Sequence, residues 1–225
     1  GTLVQSSNGK LYGMTKNGGV WDIGILFEYD PVTSTLTKML DFTGLANGGY
    51  ALGSLVQAAN GKLYGMTQQG GTNYMGVIFE YDPFTSTFIK KLDFAGATNG
   101  RYPYGSMMQA ANGKLYGMTR QGGAGDMGVI FEYDPATSTY TKRLDFNATN
   151  GRNPCYTQLI EICSPPKFTT STPDISLCQG ENTKFIASAT GNGLLYQWQV
   201  DDGSGFIDLS NNAIYSDVTD DTLHV

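Results

Sequence analysis

The sequence predicts an all-β protein, on three observations: one phrase recurs at a fixed spacing, apolar residues alternate within each copy, and Gly-containing turns separate the alternating runs. Asn8-Gly9-Lys10-Leu11-Tyr12-Gly13-Met14-Thr15 returns at residues 60–67 and again at 112–119, in steps of 52 residues. Phe27-Glu28-Tyr29-Asp30-Pro31 returns at 79–83 and 131–135, and Leu40-Asp41-Phe42 at 92–94 and 144–146, with the same step. Self-similarity at a fixed period is the mark of a repeat architecture. Three copies of one unit therefore span about 1–52, 53–104 and 105–156.

Composition agrees. The 225 residues include 30 Gly, 14 Tyr and 11 Phe, a turn-rich mixture full of β-forming aromatics. Fourteen Lys and Arg stand against 20 Asp and Glu, for a net charge of -6. An acidic chain without a basic run is not built to grip phosphate backbones, so no nucleic-acid partner is expected. No stretch approaches the roughly 18 apolar residues of a spanning helix, and no membrane insertion is expected of these residues.

Within the second copy, Ser54-Leu55-Val56-Gln57 reads as a short strand and Ala58-Ala59-Asn60-Gly61 as a turn whose Asn-Gly tolerates positive φ. Lys62 to Thr67 is the second strand, and the Gly70-Gly71 loop follows it. Val77 to Tyr81 is the third strand, and Asp82-Pro83-Phe84-Thr85 fits a turn with Asp first and Pro second. Phe88 to Phe94 is the fourth. Four antiparallel strands in about 50 residues make a propeller blade, and kelch repeats have roughly that period. Three blades form a partial β-propeller, because ring closure takes about four to eight; further repeats of the same kind are the expected neighbours. Cys155 to Ile162 looks like one final strand without its hairpin partner, so the array is expected to run to residue 162.

From Cys163 the repeat is gone, and Ser164-Pro165-Pro166 reads as a stiff linker. Charge changes as well: residues 1–156 carry net +1 and residues 157–225 net -7. The tail has alternating runs at Thr183 to Ala189 and Leu194 to Val200, a turn at Asp201 to Gly205, then Phe206-Ile207 and Thr222 to Val225. A Trp on a central strand points to an immunoglobulin-like sandwich. That fold takes about 100 residues, so residues 163–225 are expected to hold a truncated one.

Two resemblances attach to these residues. Gly61-Lys62-Leu63-Tyr64-Gly65-Met66-Thr67, Gly70-Gly71 and Gly76-Val77-Ile78-Phe79 resemble the GloVer-type tandem repeat of large secreted bacterial proteins. Tyr81-Asp82-Pro83 with Thr85 to Phe88 is also similar to the second half of a kelch blade. The tail, with Leu177-Cys178-Gln179-Gly180-Glu181 and Tyr196-Gln197-Trp198-Gln199, resembles immunoglobulin-like modules of bacterial surface proteins. The resemblance implies a secreted or surface-anchored modular protein. It departs from the usual immunoglobulin pattern at Cys178, which lies before the second strand rather than near Ala187.

Candidate chemistry is sparse. Cys155, Cys163 and Cys178 are an odd number; Cys155 with Cys163 is the preferred disulfide, Cys163 with Cys178 the competing one. His224 is the only histidine and is read as a half-buried strand residue. Glu80 and Asp82 lie on one strand face at about the carboxylate spacing of an inverting glycosidase. The pair recurs in every blade, however, and Asp82 precedes Pro83, where it would cap a turn. Lys38, Lys90 and Lys142 are read as solvated edge lysines. No catalytic residue, metal or cofactor site is expected. The remaining candidates are aromatics at positions where the copies differ: Trp21 and Tyr74 after the Gly-Gly pairs, and Tyr102 and Tyr104 between blades, which could stack on a sugar. The resulting expectation is a non-catalytic secreted or cell-surface scaffold that binds polysaccharide or a surface protein. The alternative is an accessory region of a larger secreted enzyme such as a glycoside hydrolase.

Overall fold

The computed structural model describes residues 1–160, 167–173, 182–190, 194–201, 203 and 205–225. All regular structure among them is β, and the chain divides into two compact units, Gly1–Glu161 and Ile162–Val225.

The first unit holds three sheets of four strands each. The first is β1 (Val4–Gln5), β2 (Leu11–Met14), β3 (Ile25–Asp30) and β4 (Thr35–Asp41). The second is β5 (Val56–Gln57), β6 (Leu63–Thr67), β7 (Val77–Asp82) and β8 (Thr87–Asp93), and the third is β9 (Met108–Gln109), β10 (Leu115–Thr119), β11 (Val129–Asp134) and β12 (Thr139–Asp145). Every sheet is an antiparallel meander in sequence order. The four-stranded blade read from the second copy is therefore present three times.

Turn chemistry fixes each hairpin. Asp82 Oδ1 accepts from the amides of Phe84 and Thr85 at 2.9 and 3.3 Å, and Asp30 and Asp134 do the same for their turns. These carboxylates cap their turns, as the position before proline implies. The outer strand of each blade carries a bulge opposite the middle of the third strand, as between Ile78 and Phe79. The bulge leaves Lys91 without a cross-strand partner, between Lys90 (opposite Phe79) and Leu92 (opposite Ile78), and re-aims its side chain.

Alternation gives each blade two apolar faces, and consecutive blades join unlike faces. Tyr12, Leu26 and Phe42 of the first blade pack on Leu55, Leu63, Val77, Phe79 and Tyr81 of the second. One repeat on, Tyr64, Met66, Ile78 and Phe94 pack on Met107, Leu115, Val129, Phe131 and Tyr133. Ring geometry repeats with the sequence: Tyr12–Tyr81 and Tyr64–Tyr133 centroids lie 6.1 and 6.2 Å apart, Phe42–Phe79 and Phe94–Phe131 5.9 and 5.7 Å. Burying each such side chain contributes about 1.5–3 kcal/mol. Before each first strand the backbones approach closely. Thr2 N donates to Ser54 Oγ at 2.6 Å, Ser54 N to Ser106 Oγ at 2.7 Å, and Ser106 N to Thr157 O at 3.3 Å. A methyl group on Gly53 would strike the Gly105 carbonyl, so no side chain fits there.

The strand expected from Cys155 to Ile162 is not formed over its described residues, 155–160. In each blade the two-residue first strand exists only through its ladder to the second strand, and among the described residues 155–160 take part in no such ladder. Cys155 is exposed with a free thiol; Cys163 and Cys178, and with them the expected pairing, lie outside the described residues.

The second unit contains β13 (Lys167–Ser171), β14 (Lys184–Thr190), β15 (Gln199–Asp201), β16 (Phe206–Asp208) and β17 (Thr222–His224). They form a three-stranded sheet ordered β13-β14-β17 and a separate β15-β16 hairpin. Leu209, Val218 and Leu223 form its core with Phe185, Trp198 and Tyr215 around them. Trp198 immediately precedes β15, and its indole N–H donates to Asp220 O at 2.9 Å. The run expected as a strand from Leu194 is ordered as strand only from Gln199, since a β partner, β16, faces residues 199–201 alone. His224 is exposed on β17 rather than half-buried.

A methyl group at Gly65 would sit 2.5 Å from Phe79 Cζ and 2.9 Å from Leu55 Cδ2. Gly65→Ala is expected to lower stability by about 1–3 kcal/mol through overpacking, read as an earlier urea midpoint with unchanged slope.

Candidate ligand-binding face

The antiparallel order puts the first-to-second and third-to-fourth strand turns at one end of every blade. The second-to-third strand loops and the inter-blade connections lie at the opposite end. This second end is a continuous loop face. Gly49 and Gln69 exchange backbone hydrogen bonds at 2.9 and 3.1 Å, and Arg101 and Gln121 repeat the link at the next junction.

The Gly-Gly loops are tied down from the fourth strand. Asp41 Oδ1 accepts from Val20 N at 2.9 Å, Asp93 Oδ1 from Thr72 N at 2.9 Å, and Asp145 Oδ1 from Ala124 N at 3.0 Å. Lys38, Lys90 and Lys142 each pair with that aspartate at 2.8, 3.0 and 2.9 Å. The three lysines thus pair with the aspartates that hold the loops, and Lys38 stays exposed to solvent as it does so. The Lys38 ammonium and the Val20 amide hold the Asp41 carboxyl below its usual range.

At the loop tips the copies diverge. Asp22 and Asp126 occupy one tip position, with φ of 52° and 55°, and each carboxylate accepts from the first glycine amide of its loop, Gly18 or Gly122, at 2.8 Å. Tyr74 holds the same position in the second blade at φ 55°. Left-handed backbone costs an L-residue roughly 1–2 kcal/mol, and Asp can recover part of that by local hydrogen bonding while Tyr cannot. Tyr74 and Trp21 are both 64 % exposed. Next to Tyr74, Met75 lines a recess of about 380 Å³ together with Gly123, Arg101 and Asp126. Arg101 and Asp126 form an ion pair at 2.6 Å on its wall.

The other two aromatic candidates are engaged in the framework. Arg101 lies over the Tyr102 ring at 5.5 Å, and Tyr102 N donates to Met75 O. The Tyr104 hydroxyl accepts from Gln68 Nε2 at 2.7 Å, Arg120 covers one ring face at 5.1 Å, and Tyr156 meets it edge-on at 5.5 Å. Tyr104 and Tyr156 line a second recess, of about 250 Å³, beside Gly53 and Gly105. The structure thus separates Trp21 and Tyr74, which offer free ring surface, from Tyr102 and Tyr104, which hold loops together.

Sequence reasoning missed a buried network that recurs in every blade. Lys62 Nζ and Tyr64 OH donate to the two oxygens of Glu80 at 2.9 and 2.8 Å, and Asn60 Nδ2 donates to the Tyr64 hydroxyl at 3.0 Å. Lys10–Tyr12–Glu28 and Lys114–Tyr116–Glu132 repeat it. The bulge brings Lys91 to within 3.4 Å of Glu80, and Arg143 to 2.6 Å of Glu132; Met39 stands at that position in the first blade. Burial opposes ionisation of Glu80, but its donors outweigh it and hold the carboxyl below its usual range. Lys114, against the opposing effect of burial and with Tyr116 and Arg143, brings Glu132 down to about 2. Burial and the Glu80 hydrogen bond push the Tyr64 phenol up. Each such glutamate is an anion whose two oxygens are met by donors from the same blade. The signal available in sequence was the joint recurrence of Lys-x-Tyr and Glu at the same step. Among the described residues no three His, Cys, Asp or Glu converge as metal ligands.

Two outcomes follow from this geometry. Tyr74→Asp is expected to raise stability by about 1 kcal/mol, because the new carboxylate reproduces the loop-closing bond of Asp22 and Asp126; differential scanning calorimetry reads it. Because the folded pKa of Glu132 lies below the unfolded value near 4.5, its contribution is complete above that value and is lost as pH falls toward about 2. Glu132→Gln is expected to be less stable at neutral pH and to show a shallower loss of urea midpoint across that window.

Residues 1–164 match the family model described as the Gloeobacter/Verrucomicrobia repeat. No curated protein matches the chain. With the match covering the whole three-bladed array and most of the chain, the protein belongs to the Gloeobacter/Verrucomicrobia repeat family.

Proposed function

We propose that this repeat protein is a non-catalytic, secreted or cell-surface binding module whose loop face engages polysaccharide. The observation that carries the reading is Tyr74: an exposed aromatic in left-handed backbone, where the sister blades place an aspartate that closes the loop. Backbone strain that local bonding does not relieve is a pointer to function. Trp21 adds a second exposed ring at the same end of the neighbouring blade. Flat aromatic faces stack on sugar rings, and the Arg101–Asp126 pair in the adjoining recess supplies donors and acceptors for hydroxyls. The buried glutamates, each saturated by donors, favour a scaffold over a hydrolase. The tail is read as an immunoglobulin-like spacer, on the packing of Trp198 with Phe185 and Leu209.

The test is a glycan array followed by calorimetric titration of the best ligand. Trp21→Ala and Tyr74→Ala are each expected to weaken binding about tenfold, which corresponds to about 1.4 kcal/mol, with the melting transition retained. Affinity unchanged in both variants would overturn the loop-face site, and a blank array would overturn polysaccharide as the ligand class.

A further inference from the structure

The loop face differs in chemistry between its two junctions. Both carry the same backbone link, Gly49 with Gln69 and Arg101 with Gln121. The side chains mounted around that link do not agree. Leu45, Gly49, Thr72 and Tyr74 at the first junction correspond, one repeat on, to Ala97, Arg101, Ala124 and Asp126 at the second. Leu45 and Tyr74 are 54 and 64 % exposed, so the first junction offers apolar surface. At the second, alanines stand in place of Leu45 and Thr72, and an ion pair in place of Gly49 and Tyr74. The backbone link is indifferent to these changes. They leave the recess of about 380 Å³ beside Met75, inside the range of about 300–1,000 Å³ that small-ligand sites occupy. Its ion pair has bonding capacity to spare. A guanidinium carries five N–H donors, yet among the described residues the Arg101 side chain makes one hydrogen bond, from Nη2 to Asp126 Oδ2 at 2.6 Å. Its Nε is buried with no partner among them. Asp126 Oδ1 accepts from Gly122 N at 2.8 Å, and the two bonds use about half of the carboxylate's acceptor capacity. The Asp126 side chain is 57 % exposed, and the Tyr102 ring supports the guanidinium at 5.5 Å.

We propose that this recess is the specificity subsite of the loop face and takes an uncharged pyranose through a vicinal diol held between Arg101 and Asp126. The inference rests on the polysaccharide reading above and adds which sugars qualify. Each hydroxyl of a diol both donates and accepts, so one accepts from Arg101 while donating to Asp126, and its neighbour donates to the remaining carboxylate lone pair. The same geometry disfavours a uronate. Its carboxylate needs both arms of the guanidinium fork, of which Asp126 already holds one, and it would lie against a second carboxylate. No charged residue stands at the corresponding positions of the first junction. That junction supplies stacking surface without reading hydroxyls.

Calorimetric titration of the 225-residue chain with three sets of soluble glycans tests this. The first set is uncharged chains linked through O4, whose residues keep the O2–O3 diol. The second is uncharged chains linked through O3, whose internal residues have no vicinal diol, and the third is O4-linked uronates. The first set is expected to bind at least about tenfold tighter than either of the others. Asp126→Asn keeps an acceptor for the Gly122 amide and suits left-handed backbone, so the melting transition is expected to stay in place. In that variant the first set is expected to bind about tenfold more weakly and the uronates more strongly, because Arg101 loses its fixed counter-ion. Equal or tighter binding of the O3-linked chains or the uronates by the wild type, or unchanged affinities in Asp126→Asn, would overturn this subsite and leave the polysaccharide reading standing. Binding of none of the three sets would overturn both.

Discussion

Face-to-face packing between consecutive blades is the interaction on which the rest of this protein depends. A four-stranded meander with apolar residues on both sides has no interior of its own. Tyr12, Leu26 and Phe42 lose water only because Phe79 and Tyr81 of the next blade cover them. Repeat proteins of this kind sum intrinsic unit stability and nearest-neighbour terms, and here the neighbour term holds nearly all of the large buried side chains. The middle blade, covered on both sides, is accordingly where β6 and most of β7 are buried residue after residue.

A polar constraint is laid over that packing. Each blade buries one glutamate close to a junction, and an unpaired carboxylate in such a place would be strongly unfavourable. The tyrosine of the second strand and the lysine that immediately precedes that strand, set two residues apart, reach its two oxygens separately, and the bulged residue of the fourth strand adds a further cation in two blades of three. Satisfying the glutamate this way also fixes register, since a one-residue slip would turn the lysine and tyrosine to the opposite face. The same logic governs the loop face, where a lysine orients an aspartate and the aspartate holds the Gly-Gly loop. With the framework fixed beneath them, the loop tips can differ between blades without disturbing the fold, and there the chain places Trp21 and Tyr74.

Much of the array was legible residue by residue. The Asp-Pro turns, the Asn-Gly hairpins and the alternation in β7 state their own structure, because turn capping and pleat act over two to five residues. Even the turn-capping role of Asp82 could be argued from Pro83 alone. The segment after Cys155 shows the limit of such reading. Its composition is that of a strand, but a two-residue strand is made by its partner's hydrogen bonds, and among the described residues 155–160 have no such ladder.

The sequence by itself determined the repeat, the four-strand unit, the turn at every hairpin and the change of character near residue 163, since each rests on short-range periodicity or local backbone chemistry. Only the tertiary structure decided which side chains meet across 16 or 18 residues in the Glu80 network, and which way the bulge aims Lys91. It alone decided that Tyr104 is enclosed by Arg120 and Tyr156 while Tyr74 keeps an open ring face. The physical reason is one of range: register and blade stacking place residues from distant parts of the chain within hydrogen-bond distance, and one blade's apolar pattern carries no mark of which neighbour will cover it.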